Sequence, residues 1–108
     1  MLLQITSGIN ISNKKEIEKT LISLFEEYKP EIMALDFEDV RFIDSAGIAT
    51  LVKILKKIIS AKKKFIFYNV SDEIINSINI LRLKNFFTIY TKDEFYKKYK
   101  NVFNLNTL

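Results

Sequence analysis

Asp44-Ser45-Ala46-Gly47 places a carboxylate, a hydroxyl and one of only two glycines side by side. Such a junction can be a nucleophile, a phosphate acceptor or a plain helix start. A serine nucleophile needs a base, and the chain of 108 residues has no histidine and no cysteine. A Ser-His-Asp triad is therefore impossible, as are a thiol nucleophile, a disulfide and a Cys/His zinc site. Lysine is the main candidate base, and the nearest downstream one, Lys53, lies more than two helical turns further on. As a cap, either Asp44 or Ser45 can accept backbone N–H bonds. As a phosphate acceptor, Ser45 would sit at a helix N-terminus, where an anion is favoured. The phosphate would add a charge of about −1.5 to −2. Gly47 would let a phosphate or a partner's backbone come close.

Other chemistries find less support. Asp36, Asp39 and Asp44 could suggest a magnesium-dependent phosphoaspartate site. Such sites also need acidic residues after the first strand, where this chain reads Ser7-Gly8-Ile9-Asn10. Asp36 and Asp39 are read instead as turn formers or as partners of lysine and backbone groups. With Gly8 and Gly47 alone, neither phosphate-binding glycine motif can be written. No metal and no cofactor is expected.

The junction needs a scaffold. Leu2–Thr6 reads as a short strand ended by Ser7-Gly8. Asn13-Lys14-Lys15-Glu16 resembles a capping box, opening a helix with Ile17, Leu21, Leu24, Phe25 and Tyr28 on one stripe. Pro30 closes it. Ile32–Leu35, continuing to Phe37, suits a strand buried on both faces. After a turn at Glu38-Asp39 and an extended Val40–Ile43, a second helix starts near Ser45, with Ile48, Leu51, Val52, Leu55, Ile58 and Ile59 inward. Phe65–Val70 is the third strand. Ser71 caps a helix carrying Ile74, Ile75, Ile78 and Leu81. Phe87–Tyr90 is the fourth strand. Thr91-Lys92-Asp93-Glu94 is a capping box for a last helix with Phe95, Tyr96, Tyr99, Val102 and Phe103.

This order implies one α/β domain over 1–103, with a mostly parallel four-stranded sheet, four helices and a tail over 104–108. Functional groups of open parallel sheets lie beyond the strands' carboxyl ends. Asp44-Ser45 falls there, with loops Ser7–Ser12 and Asn69–Ser71 on the same rim. The net charge of +4 is spread along the chain, with a run at Lys62-Lys63-Lys64 that follows a helix. That spread does not make a nucleic-acid face, and no apolar run is long enough to insert into a membrane. Without a signal-peptide pattern at Met1–Thr6, a cytoplasmic protein is expected.

"LDFEDVRFIDSAGIATLV", Leu35–Val52, resembles the signature of STAS domains of the bacterial anti-sigma factor antagonist type. "FYNVSDEI", "LRLKNFFTIYTKDEF" and "ITSGINIS" are similar to that family's other segments, so the resemblance covers nearly the whole chain. It implies a binding module and kinase substrate rather than an enzyme. Ser45 would be the serine phosphorylated by an anti-sigma factor kinase and reset by a cognate phosphatase, in a partner-switching pathway that regulates transcription. Asn10, Asp44, Ser45, Gly47, Ile48 and Ala49 would form the contact rim. STAS domains also serve as constitutive subunits of transport or scaffold complexes, and a nucleotide- or lipid-binding role is a further alternative. Against the family pattern the chain lacks the first strand of the opening hairpin. That leaves Leu2–Thr6 as an edge able to pair in a homodimer. Asn10 stands where aspartate is usual, Ala46 where serine or threonine follows the phosphosite, and Arg82 where glycine is usual. The last substitution implies a different turn before Leu83.

Overall fold

The computed structural model describes residues 1–105. Its elements are β1 (Leu2–Gln4), α1 (Lys14–Tyr28), β2 (Ile32–Asp36), α2 (Ser45–Ser60), β3 (Lys64–Tyr68), α3 (Asp72–Ile80), β4 (Thr88–Tyr90) and α4 (Lys92–Tyr99). The strands pair in the order β1-β2-β3-β4, all parallel. This is the expected α/β alternation, with strand ends trimmed: Ile5, Thr6, Phe37, Asn69, Val70 and Phe87 lie outside the ladders.

Three consecutive crossovers step across the sheet in one direction, so right-handed connections put α1, α2 and α3 on one face. The larger core confirms the placement: Met33, Leu35, Phe65 and Phe67 pack there against Leu21, Phe25, Leu51, Ile54, Ile74 and Ile78. The alternate strand residues Ala34, Ile66 and Tyr68 face the other way, under Phe95 and Tyr99 of α4. Only α4, which follows the last strand and crosses to no other, is free to take that face. Tyr68 stacks on Phe95 at 3.9 Å. Both faces being covered explains why β2 and β3 read as unbroken apolar runs.

Local signals succeed where a side chain has nothing better to do. Ser71 caps α3 through Ile74 N–H, and Thr91 and Glu94 form the full capping box of α4. Asn13 does not cap α1. Its side chain is held by the preceding loop, accepting from Asn10 N–H at 2.9 Å and donating to the Gly8 carbonyl at 2.6 Å. The capping-box expectation fails there because the loop needs both ends of that amide.

The helical stripes are correct in their middles and fail at their ends. Tyr28, Ile59 and Leu81 were expected inside and are exposed, whereas Ile54, outside the expected stripe of α2, is fully buried. The reason is length. A 16-residue helix spans roughly 24 Å and a five-residue strand roughly 16 Å, so α1 and α2 overhang the sheet at Tyr28 and Ile59, whereas Leu81 lies just past the short α3, in the turn that follows it. Val102 is exposed too, because α4 ends at Tyr99 and turns follow. Phe103 and Leu105 still pack under α4, so the packed chain reaches past Phe103; of the expected tail, 106–108 lie outside the described residues.

Candidate phosphoacceptor and partner-binding rim

The carboxyl ends of the strands form a rim where two β-α connections are stitched together. Ile9 N–H donates to the Phe42 carbonyl at 3.1 Å, and Asp44 N–H donates to the Ile9 carbonyl at 3.2 Å. Ile9 and Ile43 thus make an isolated parallel bridge beyond the end of β1, and Ile9 is fully buried. Both glycines serve this crossing. A side chain on Gly47 would put Cβ 2.5 Å from the Ile9 carbonyl oxygen, and one on Gly8 would put it 2.8 Å from that of Phe42. Gly47 therefore admits the protein's own loop, which already fills the close approach expected for a phosphate or partner.

Asp44 resolves the choice of cap. One carboxylate oxygen accepts Gly47 N–H at 2.8 Å, and the other accepts Ile11 N–H at 3.0 Å. It is the N-cap of α2 and also the tether of the β1–α1 loop. Ser45 is left at the first helical position, exposed, and its hydroxyl makes no hydrogen bond among the described residues. The N–H groups of Ser45 and Ala46 have no partner there either, as expected of a first turn.

The six expected rim residues separate into two sets. Ser45 and Ala49 are exposed, and Asn10 and Asp44 are half-buried at the surface. Gly47 and Ile48 are buried, Ile48 in the large core, so neither offers a side chain to a partner. Asn10 shapes its own loop: its side-chain oxygen accepts from Ser12 N–H at 2.8 Å. Two residues outside these six take the outer positions, Ile11 at 69% exposed and Phe42 at 59%. Each is a large apolar side chain outside any helix or strand, a signal that periodicity does not weigh.

The remaining rim acids have structural partners. Asp36 accepts from Glu38 N–H and from the Asn69 amide, and Asp39 accepts from Gln4. No group of three potential metal ligands occurs among the described residues. Burial, with the Asp36 carboxylate second, raises the Tyr68 phenol well above the usual tyrosine range.

The turn after α3 departs from expectation. Arg82 adopts φ 58°, the left-handed conformation that glycine favours. Leu83 N–H reaches the Ile78 carbonyl and Arg82 N–H that of Asn79, which is a complete Schellman turn. Arginine thus keeps the glycine geometry, because two backbone bonds and the packing of Leu83 outweigh the local strain.

The family model for the STAS domain matches residues 1–95. The chain belongs to the STAS family. Among solved structures, a Thermotoga maritima protein described as a candidate anti-sigma factor antagonist has a TM-score of 0.80 at 24% identity, with 90% of this chain and 84% of that one covered. The phosphorylated form of the Bacillus cell fate determinant SpoIIAA has a TM-score of 0.64 at 13% identity, covering 89% of this chain and 87% of that one. The mouse anion transporter Slc26a9 has a TM-score of 0.64 at 18% identity, with 73% of this STAS chain covered but only 13% of the transporter. At these identities the structural likeness shows a shared fold. Among the described residues, no helix of this STAS chain is long and apolar enough to cross a membrane.

Proposed function

We propose that this STAS protein is a phosphorylation-controlled binding module of a bacterial partner-switching pathway, with Ser45 as the phosphoacceptor. One observation carries the reading: Asp44 performs the capping, so the Ser45 hydroxyl is exposed and unengaged. The partner is an anti-sigma factor with serine-kinase activity, and a cognate phosphatase resets the switch. Unmodified, the rim offers Ile11, Phe42, Ala49 and the neutral Ser45 hydroxyl as an apolar contact. A phosphate beside Asp44 places charge inside that contact and weakens it through desolvation and repulsion. The free N–H groups of Ser45 and Ala46 favour the added anion, so the backbone change is small. The protein acts as a substrate and not as an enzyme, in the cytoplasm.

The test is intact mass after incubation with the serine kinases of the source genome, combined with partner binding by three forms. Ser45→Ala keeps binding and Ser45→Asp loses it; equal affinity of wild type and both variants would sink the switch. The likeness to part of an anion transporter favours a second reading, a constitutive subunit of a transport complex. In that case Ser45 gains no phosphate from any kinase, while Phe42→Ala still weakens assembly. A homodimer through the open edge of β1 is compatible with either role; Gln4→Pro would then halve the mass measured by light scattering.

A further inference from the structure

The pole opposite Ser45 is unlike the rest of the surface. Of the nine large exposed hydrophobics among the described residues, five lie at or after the C-terminal ends of α1, α2 and α3: Tyr28, Ile59, Ile80, Leu81 and Phe86, with Ile80 at 80% exposed. Lys29, Lys62, Lys63, Lys64, Arg82 and Lys84 lie among them, against Glu26, Glu27 and Glu31. Lys63 pairs with Glu31, leaving most of these cations to solvent. Ile59, Lys63, Lys64 and Phe86 line one groove of about 220 Å³ at the start of β3 and β4. Glu26, Lys29, Ala61 and Lys63 line the next hollow, so through Lys63 the Lys29 side of the pole adjoins the groove of Ile59 and Phe86. The Ser45 rim carries the opposite sign, with Asp36, Glu38, Asp39, Asp44, Asp72 and Glu73 around Arg41. Lys14 and Lys15 only partly offset it.

The geometry points to this basic, apolar pole as a docking face for an anionic lipid surface. Lysines at headgroup level are attracted by a negative bilayer, and isolated aliphatic and phenyl groups between them reach the acyl boundary. Charge complementarity selects an anionic surface over a neutral one. The apolar side chains favour lipid over nucleic acid, whose phosphates have no use for Ile59, Ile80 or Leu81. The acidic rim is turned away from such a surface, so docking leaves Ser45 facing water. This inference does not rest on modification of Ser45.

Co-sedimentation with vesicles of phosphatidylcholine alone, or with about a third phosphatidylglycerol, tests it. The protein is expected to pellet with the anionic vesicles only, and less at high salt. Neutralising Lys62 and Lys64 (Lys62→Gln, Lys64→Gln) should weaken binding about thirtyfold, and Ile80→Ser should weaken it with the melting temperature unchanged. The chain has no tryptophan, so Phe86→Trp supplies a lone indole whose emission should shift to the blue on anionic vesicles. No pelleting at low salt, no emission shift, or tighter binding to heparin that Ile80→Ser leaves intact would each overturn the proposal. Ser45→Asp should pellet like wild type, which separates this result from the fate of the switch.

Discussion

At the Ser45 rim the chain places its two glycines at crossings too tight for any side chain. At the opposite pole α1, α2 and α3 are each followed by a left-handed residue that is not glycine: Lys29, Lys62 and Arg82. Glycine is thus absent where it would be conformationally easiest and present where sterics leave no alternative. The difference lies in what each end must do. The rim holds two loops in register beneath an exposed hydroxyl. The far pole keeps cations at helix C-termini, where the dipole favours them, at the cost of strained backbone.

Gly47→Ala tests the comparison most severely. Its Cβ would collide with buried backbone, so it should destabilise by about 3 kcal/mol, with Gly8→Ala costing less; urea denaturation of both reads the order. If Gly47→Ala is neutral, the crossing is not the constraint described. Next, Asp44→Ala removes a cap and a loop tether and should cost about 2 kcal/mol, while Ser45→Ala stays within about 0.5 kcal/mol. Equal effects would mean that Ser45 shares the capping. At the far pole the sign reverses. Arg82→Gly relieves about 1 kcal/mol of left-handed strain and returns part of it to the flexible unfolded chain, for a net gain of about 0.5 kcal/mol. A loss instead would show that the arginine side chain contributes more than its backbone costs.

The smallest effect concerns the α4 face that lies between the poles. Burial, with the Tyr90 hydroxyl second, pushes Tyr99 up to about 12. Tyr68 is raised as well, by burial and then by Asp36. A raised value in the folded state means that the neutral phenols stabilise fully below the unfolded tyrosine value of about 10. That contribution is lost as pH climbs towards about 12. Tyr90 acts in the opposite sense: burial would raise it, but the neighbouring Tyr99 hydroxyl and the hydrogen bond from Lys98 outweigh burial and lower it. The urea midpoint should fall modestly between about pH 10 and pH 12, and Tyr68→Phe should flatten the fall. A flat wild-type profile would contradict the assignment.

The sequence showed the β-α order because apolar periodicity and caps agree in β2, α2, β3 and α4. Periodicity misses the helix ends because it cannot sense that a helix outruns its sheet, as at Tyr28 and Ile59, or stops before its apolar stripe does, as at Leu81. Asp44 and Ser45 were located at the rim from the pattern alone, but which of them caps is decided by the loop bearing Ile11, 33 positions away. The resemblance assigns Gly47 and Ile48 to the contact rim because they adjoin the motif. Only the crossing of Ile9 over the helix start shows them buried.

The double grip of Asp44 makes the β1–α1 loop and the first turn of α2 one mechanical unit. The amides of Ile11 and Gly47 are far apart in sequence, yet both end on the same carboxylate. In hydrogen exchange they should open together, with one shared free energy. Asp44→Asn, which cannot accept both bonds with equal strength, should split that single opening into two.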